Sequence, residues 1–267
     1  MKCLVCNQRL EFYFSKTFNQ YGLEEVQYEK CPNCGFVGSK THKELNKKDW
    51  AELNFRYHEE HRGNSKNPDD PNWVARLESQ ATLIKKLSCL GLFSKQNPWL
   101  DYACGDGKLV SLLNQKGISF DKFDLYMDDS TFLTLEELEA QKFSLIINTS
   151  MFEHILSRKS IDYLVNLLDG NGILALHTLI CEEVPCDPSW FYLLPVHTAF
   201  FTNKSMEILF KEWGFKSSIY SPQAQMWFFL KRKKEEYIQS LAQQTREETV
   251  IVKDAFVDYW KKKPYRG

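Results

Sequence analysis

Apolar positions along the chain recur with two different periods. From Trp73 the residues Val74, Leu77, Ala81, Ile84 and Leu87 return every three or four places, which predicts a helix with one apolar stripe laid against a sheet. Trp99 to Tyr102 is a short apolar entry broken by an acid. A glycine-bearing turn follows, then a helical pattern from Leu109 to Lys116. Ile118 to Leu125 predicts a second strand and Phe132 to Leu135 a short third. Leu145-Ile146-Ile147 centres a fourth, because so short an apolar run suits a strand buried on both faces. Leu167 to Gly172 predicts a turn into a fifth strand, and Lys216–Tyr220 and Met226–Leu230 the last two. Strands alternating with helices over residues 73–232 give an α/β domain.

The flanks read differently. Glu11 to Phe14, Val26 to Glu29 and Phe36-Val37 are short β-prone pieces within residues 1–40. Residues 41–72 are polar and broken by Gly63, Pro68 and Pro71, as in a linker, yet they carry Trp50, Phe55 and Tyr57. Those aromatics either pack residues 1–40 onto the main domain or cover a ligand. In residues 233–267, Val252, Phe256 and Tyr259 have helical spacing, predicting a helical extension for docking or dimerisation.

Cys3-Leu4-Val5-Cys6 and Cys31-Pro32-Asn33-Cys34 are two C-x2-C pairs separated by 24 residues. Four thiolates at this spacing make a closed tetrahedral zinc site without an open position, which is structural rather than catalytic. Gly35 permits the tight turn that aims backbone N–H groups at sulfur. A small β-rich module around such a site is a zinc ribbon, and its metal supplies much of its folding free energy. Loss of the metal is therefore expected to unfold residues 1–40 and leave the main domain intact. The alternative is disulfide pairing of the same cysteines. Cys89, Cys104, Cys181 and Cys186 share no ligand spacing and read as ordinary thiols.

The chain has 34 Lys and Arg against 35 Asp and Glu, so it lacks the basic excess that releases counterions from nucleic acid. Residues 1–70 are balanced too, with eleven of each sign. The run Lys231 to Lys234 is a solvated exit or a phosphate contact. No apolar run spans a membrane and no secretory leader is legible, so a cytoplasmic protein is expected, as a monomer or homodimer.

Asp101-Tyr102-Ala103-Cys104-Gly105-Asp106-Gly107 places an acid and two glycines between a strand and a helix, a cradle for a nucleotide-type ligand. The dinucleotide fingerprint wants a third glycine where Val110 stands. The run instead resembles the glycine-rich motif of class I S-adenosylmethionine-dependent methyltransferases. Ala103 replaces the first glycine, which requires it to sit at negative φ. Phe143 to Ile155, with Glu153-His154 closing the loop, resembles that family's fourth strand. Leu167 to Thr178 resembles its turn into the fifth, and His197 to Phe215 resembles the tail of its sugar and small-molecule branch.

That resemblance implies a Rossmann-like, doubly wound seven-stranded sheet carrying the zinc-ribbon module at its start. It implies S-adenosylmethionine held by Asp101, Ala103, Cys104, Gly105, Gly107, Asp124, Leu125, Asn148, Thr149 and Phe152, with Asp124 on the ribose. Tyr57 or His58 would fold over the cofactor, and Cys181 to Pro195 would form an aromatic substrate lid. An acceptor proton needs a base, for which His197 comes first and His154 second, with Glu153 and Tyr192 beside them. His177, inside an apolar strand, reads as a core histidine. Asp128 and Asp129 stand too close to Asp124 to identify an adenine partner. The acceptor implied is a sugar or nucleotide-linked sugar. RNA methylation guided by the ribbon, and a scaffold that keeps the fold without catalysis, are the two alternatives.

Overall fold

The computed structural model describes residues 1–61, 72–127, 129–238 and 250–258, with His61 described by its backbone alone. Gly63, Pro68, Pro71, Asp128 and Tyr259 lie outside them. The first three strands, β1 (Glu11–Thr17), β2 (Glu25–Lys30) and β3 (Val37–Ser39), form an antiparallel meander. Helices α1 (Lys40–Glu44) and α2 (Lys47–His61) follow directly. The expected linker is thus helical as far as His61. Ser39 caps α1 by accepting from the His42 N–H, and Asn46 accepts from the Asp49 N–H at the start of α2. Leu53 and Tyr57, one turn apart on α2, are buried beneath an otherwise polar surface.

The larger unit begins with α3 (Trp73–Cys89), whose Leu77, Ala81, Ile84 and Leu87 are buried as the stripe predicts. Then come β4 (Trp99–Tyr102), α4 (Lys108–Gln115), β5 (Asp121–Phe123), α5 (Leu135–Glu139), β6 (Phe143–Thr149), α6 (Arg158–Asn166) and β7 (Leu168–His177). The last elements are β8 (Ile180–Cys181), β9 (Ala199–Thr202), α7 (Asn203–Glu212), β10 (Ser217–Ser221), β11 (Met226–Leu230) and β12 (Ile251–Lys253). Seven strands form one sheet in the order β12-β10-β11-β7-β6-β4-β5. Its β4, β5, β6 and β7 are parallel, while β10, β11 and β12 pair antiparallel.

Alternation along β6 shows why helices cover both faces. Leu145 and Ile147 join a core with α3 and α4, whereas Ile146 joins one with α6 and α7. The sheet has seven strands, but not the expected seven. Phe132 to Leu135 forms no strand, because Thr134 and Glu137 close a capping box that starts α5, while the Leu133 N–H docks on the Lys122 carbonyl. The seventh place is filled at the opposite edge by β12, where a helix was expected: Val252 pairs with Ile219 of β10. The second strand is shorter than Ile118–Leu125, and the turn foreseen at Leu167 to Gly172 lies largely within β7.

The largest departure concerns the N-terminal module. Its meander continues into a five-stranded sheet, β1-β2-β3-β9-β8, through pairs Val37↔Phe200 and Gly38↔Ala199. Strands within residues 11–39 and 180–202 therefore share one sheet, and Cys3, Val5, Cys31, Cys34 and Phe36 belong to the α6/α7 core.

Where β7 enters the sheet, a Cβ on Gly172 would lie 2.9 Å from the Phe143 carbonyl oxygen, and backbone cannot step aside cheaply. Gly172→Ala is expected to destabilise the protein by about 1–3 kcal/mol, read as a lowered thermal midpoint; an unchanged midpoint would show that β6 and β7 can separate there.

Candidate active site and metal centre

Parallel strands deliver their carboxyl ends to one edge, and β4 brings Asp101 there, only 1% exposed. The backbone then turns through Ala103 at φ +59°, Gly105 at φ +55° and Gly107 at φ +73°, the last being the N-cap of α4. Ala103 contradicts the expected negative φ. Both its N–H and that of Cys104 donate to the Phe123 carbonyl, at 2.7 and 3.2 Å, and these bonds to the neighbouring strand hold the strained residue. Space beyond Gly105 is open: a Cβ there would meet nothing within 4 Å.

Asp124, just past β5, accepts from the Gly105 N–H and the Tyr126 N–H, each at 2.9 Å, so its carboxylate is already fixed beside the cradle. Leu125 and Tyr126 next to it are 70% and 51% exposed, a bare apolar surface at the same edge. Asp129 instead caps its own turn through Thr131. Asn148 of β6, fully buried, donates to the Tyr102 carbonyl at 2.8 Å. Its Oδ1 and the Asp101 Oδ1 are buried without a hydrogen-bond donor. Burial, and secondarily the Asp124 charge, push the Asp101 carboxyl up to about 8. Two acceptors lacking donors beside an open glycine turn suit a positively charged ligand group. Thr149 ends β6 at this edge, whereas Phe152 is a core residue, wholly buried against Phe201 and Trp213.

The loop after β6 carries the second cluster. Ser150 turns it at φ +62°, donating its N–H to the His177 carbonyl. Glu153 is 1% exposed and accepts from the Thr178 hydroxyl at 3.0 Å. His154 and His197 rings stand perpendicular with centroids 4.9 Å apart, and His58 of α2 meets His154 from another side at 5.3 Å. Burial, then His197 and His58, hold the His154 pKa well below the usual histidine range, so its ring is neutral. His197 is buried and pairs through Nδ1 with the Tyr192 carbonyl at 2.8 Å. Tyr192 is itself buried among Trp190, Phe200 and His197, so residues expected to form a lid are packed against the N-terminal meander instead. His177 pairs with the Gln225 carbonyl but stands half-buried at the end of β7, not in the core as its apolar neighbours predict. The part taken by His58 had a weak signal, an aromatic neighbour in a polar stretch.

At the other site the cysteine sulfurs lie close but unbridged: Cys3–Cys34 3.6 Å, Cys6–Cys31 3.4 Å and Cys6–Cys34 3.7 Å. A disulfide needs about 2.05 Å, whereas sulfurs around a tetrahedral ion with bonds of about 2.3 Å stand nearly 3.8 Å apart. Gly35 at φ +74° and Asn7 at φ +62° make the two turns, and the Val5 N–H points at the Cys3 sulfur. Both turns are clasped by the main unit. Arg158 donates to the Val5 carbonyl, Thr202 to the Cys34 carbonyl at 2.6 Å and Lys204 to the Asn33 carbonyl. A groove of about 450 Å³ lined by Lys85, Cys89, Lys95 and Trp99 lies at the far end of β4 and holds none of these residues.

The family profile described as a methyltransferase domain matches residues 75–217, more than half of the chain. No curated protein matches it. Among solved structures, a SAM-dependent methyltransferase from Archaeoglobus fulgidus is 16% identical, with 63% of this chain and 77% of that one covered at a TM-score of 0.39. Magnesium protoporphyrin IX methyltransferase from Synechocystis PCC 6803, with bound SAH, is 16% identical over 71% and 97% of the two chains, TM-score 0.44. The plantazolicin methyltransferase BpumL, in complex with a monoazolic desmethylPZN analog and SAH, is 10% identical over 68% and 90%, TM-score 0.42.

A non-glycine residue held left-handed costs about 1 kcal/mol, so Ala103→Gly is expected to raise stability by up to that amount. Denaturant unfolding measures it, and a loss of stability would mean that the Ala103 methyl makes contacts outweighing its strain.

Proposed function

The chain belongs to the methyltransferase-domain family, and from that premise we propose that it is an S-adenosylmethionine-dependent methyltransferase of a small molecule, a sugar or nucleotide-linked sugar. Methylation falls on an oxygen or an acidic carbon. The observation that carries the cofactor assignment is the pair of donor-less buried oxygens, on Asp101 and Asn148, beside the open turn at Gly105. When bound, S-adenosylmethionine supplies a methyl group on a positively charged sulfur. Asp101 and the Asn148 Oδ1 would receive the ammonium of its amino-acid end, and Asp124, already oriented by the cradle, would hold the ribose hydroxyls. Leu125 and Tyr126 offer the apolar surface that a flat base covers.

The acceptor end is the Glu153–His154–His197 cluster, which follows β6 on the same edge of the sheet. His154 is neutral, and its Nδ1 is a buried atom without a hydrogen-bond partner, available to take a proton from the acceptor. The Nδ1–H of His197 is committed to the Tyr192 carbonyl, which leaves Nε2 as its basic atom. His197, oriented in this way, is the first choice of base and His154 the second. The balanced charge of 34 cations and 35 anions favours a small acceptor over RNA. Among the described residues no helix is long and apolar enough to cross a membrane, and the unbridged cysteines support a reducing, cytoplasmic setting. Cys3, Cys6, Cys31 and Cys34 would hold one structural zinc ion, for which their spacing fits.

Three outcomes are expected. Calorimetry with S-adenosylhomocysteine should find binding that Asp124→Ala weakens by about 2–4 kcal/mol; absence of binding to the wild type would leave only a scaffold. Because Asp101 titrates near 8, it is protonated at neutral pH and ionises as a cation binds. Affinity should therefore rise with pH and level off above 8, with proton release visible as a buffer-dependent enthalpy. Asp101→Asn should remove that dependence. Its sign for stability is the reverse: the unfolded carboxyl ionises near 3.8 and the folded one near 8, so the wild type loses stability as pH rises between them and the variant does not. Elemental analysis should give zinc bound by the four cysteines and lost in Cys31→Ser; protein purified without chelator and free of zinc would contradict that site.

A further inference from the structure

We infer that Glu153, His154 and His197 form a second metal site, one that takes a divalent transition ion of the zinc or cobalt kind. This rests on the reading of that cluster as the acceptor end of the active site; with an ion bound, the two histidines would serve as ligands in place of the base role given above. One carboxylate oxygen and one nitrogen from each ring all lie within 4.8 Å of one another. Ligand atoms around an ion at about 2.0–2.2 Å stand up to roughly 4 Å apart, so small side-chain rotations close the set.

The surroundings prepare these atoms as ligands. A histidine binds a metal through a lone pair, and the tautomer that exposes it is fixed when the other nitrogen donates to a backbone carbonyl. His197 donates from Nδ1 to the Tyr192 carbonyl at 2.8 Å. On His154, Nδ1 is a buried atom without a hydrogen-bond partner. The rings are perpendicular with centroids 4.9 Å apart. Glu153 is held by the Thr178 hydroxyl at 3.0 Å, while its own carbonyl accepts from the Thr198 N–H at 2.7 Å. Two imidazoles and one carboxylate leave coordination positions open, unlike the four-cysteine site. Those positions would take oxygens of the acceptor, and an ion there occupies the imidazole lone pairs that otherwise accept a proton.

Cobalt distinguishes the two sites in the full-length protein. The zinc-free protein should first take one equivalent of Co²⁺ with the intense near-ultraviolet band of thiolate ligation. A second equivalent should then add visible bands without further thiolate absorption. In His154→Ala and in His197→Gln the second equivalent should be lost, and retention of the thiolate band shows that each variant is folded. Saturation at one equivalent in the wild type overturns the inference, as does a second equivalent that survives in both variants. S-adenosylhomocysteine binding, measured separately, tests the methyltransferase reading without reference to this site.

Discussion

The pairing of β3 with β9 is the contact on which the arrangement depends. Only two residue pairs make it, Val37↔Phe200 and Gly38↔Ala199, yet they join a small cysteine-stapled meander to the strand that precedes α7. Next to it, the Ser39 N–H donates to the Thr198 carbonyl, and the Thr198 N–H donates to the Glu153 carbonyl. The Ser39 hydroxyl also pairs with the His42 Nδ1 at 2.6 Å, and the other side of that ring donates from Nε2 to the Pro195 carbonyl at 2.8 Å. A continuous series of backbone bonds therefore runs from the cysteine module to the two loops that bear Glu153 and His154, and His197. Short modules of this size rarely hold themselves together without metal. Here the module shares its sheet with β9, directly beside Glu153 and His197.

At the carboxyl end of β4 two features reduce stability. Asp101 is buried beside Asp124 with one oxygen lacking a donor, and Ala103 is held in a left-handed conformation next to it. Both features oppose folding, and both lie at the turn between β4 and α4, as strain concentrated at a functional site does. The surrounding sheet compensates, since β4 lies between β5 and β6 with buried aliphatic residues on both faces.

Much of this was legible in the chain, for reasons that differ by element. The stripe of α3 and the apolar run of β6 were readable because burial on one or two faces writes a period into the residues. The four cysteines were readable because ligand spacing is set by the ion. Ala103 was misread because side-chain size says nothing of the two carbonyl bonds that fix its φ. The linker was misread because α2 buries little more than Leu53, Asn54 and Tyr57 and so shows almost no stripe. The strand β12 was invisible because Val252 and Phe256 fit helical spacing as well as an edge strand, and only Ile219 across the sheet decides between them. The joining of β3 to β9 lies between residues more than 160 positions apart, and no local pattern announces it.

If the cysteine module braces the loops of Glu153, His154 and His197 through the shared sheet, hydrogen exchange reads that coupling. Removing zinc from the full-length protein should raise exchange at Phe36–Ser39 and equally at residues 153–155 and 197–202, while β6 and β7 stay protected. If the added exchange stops at residue 40, the module is an independent appendage that braces nothing beyond itself.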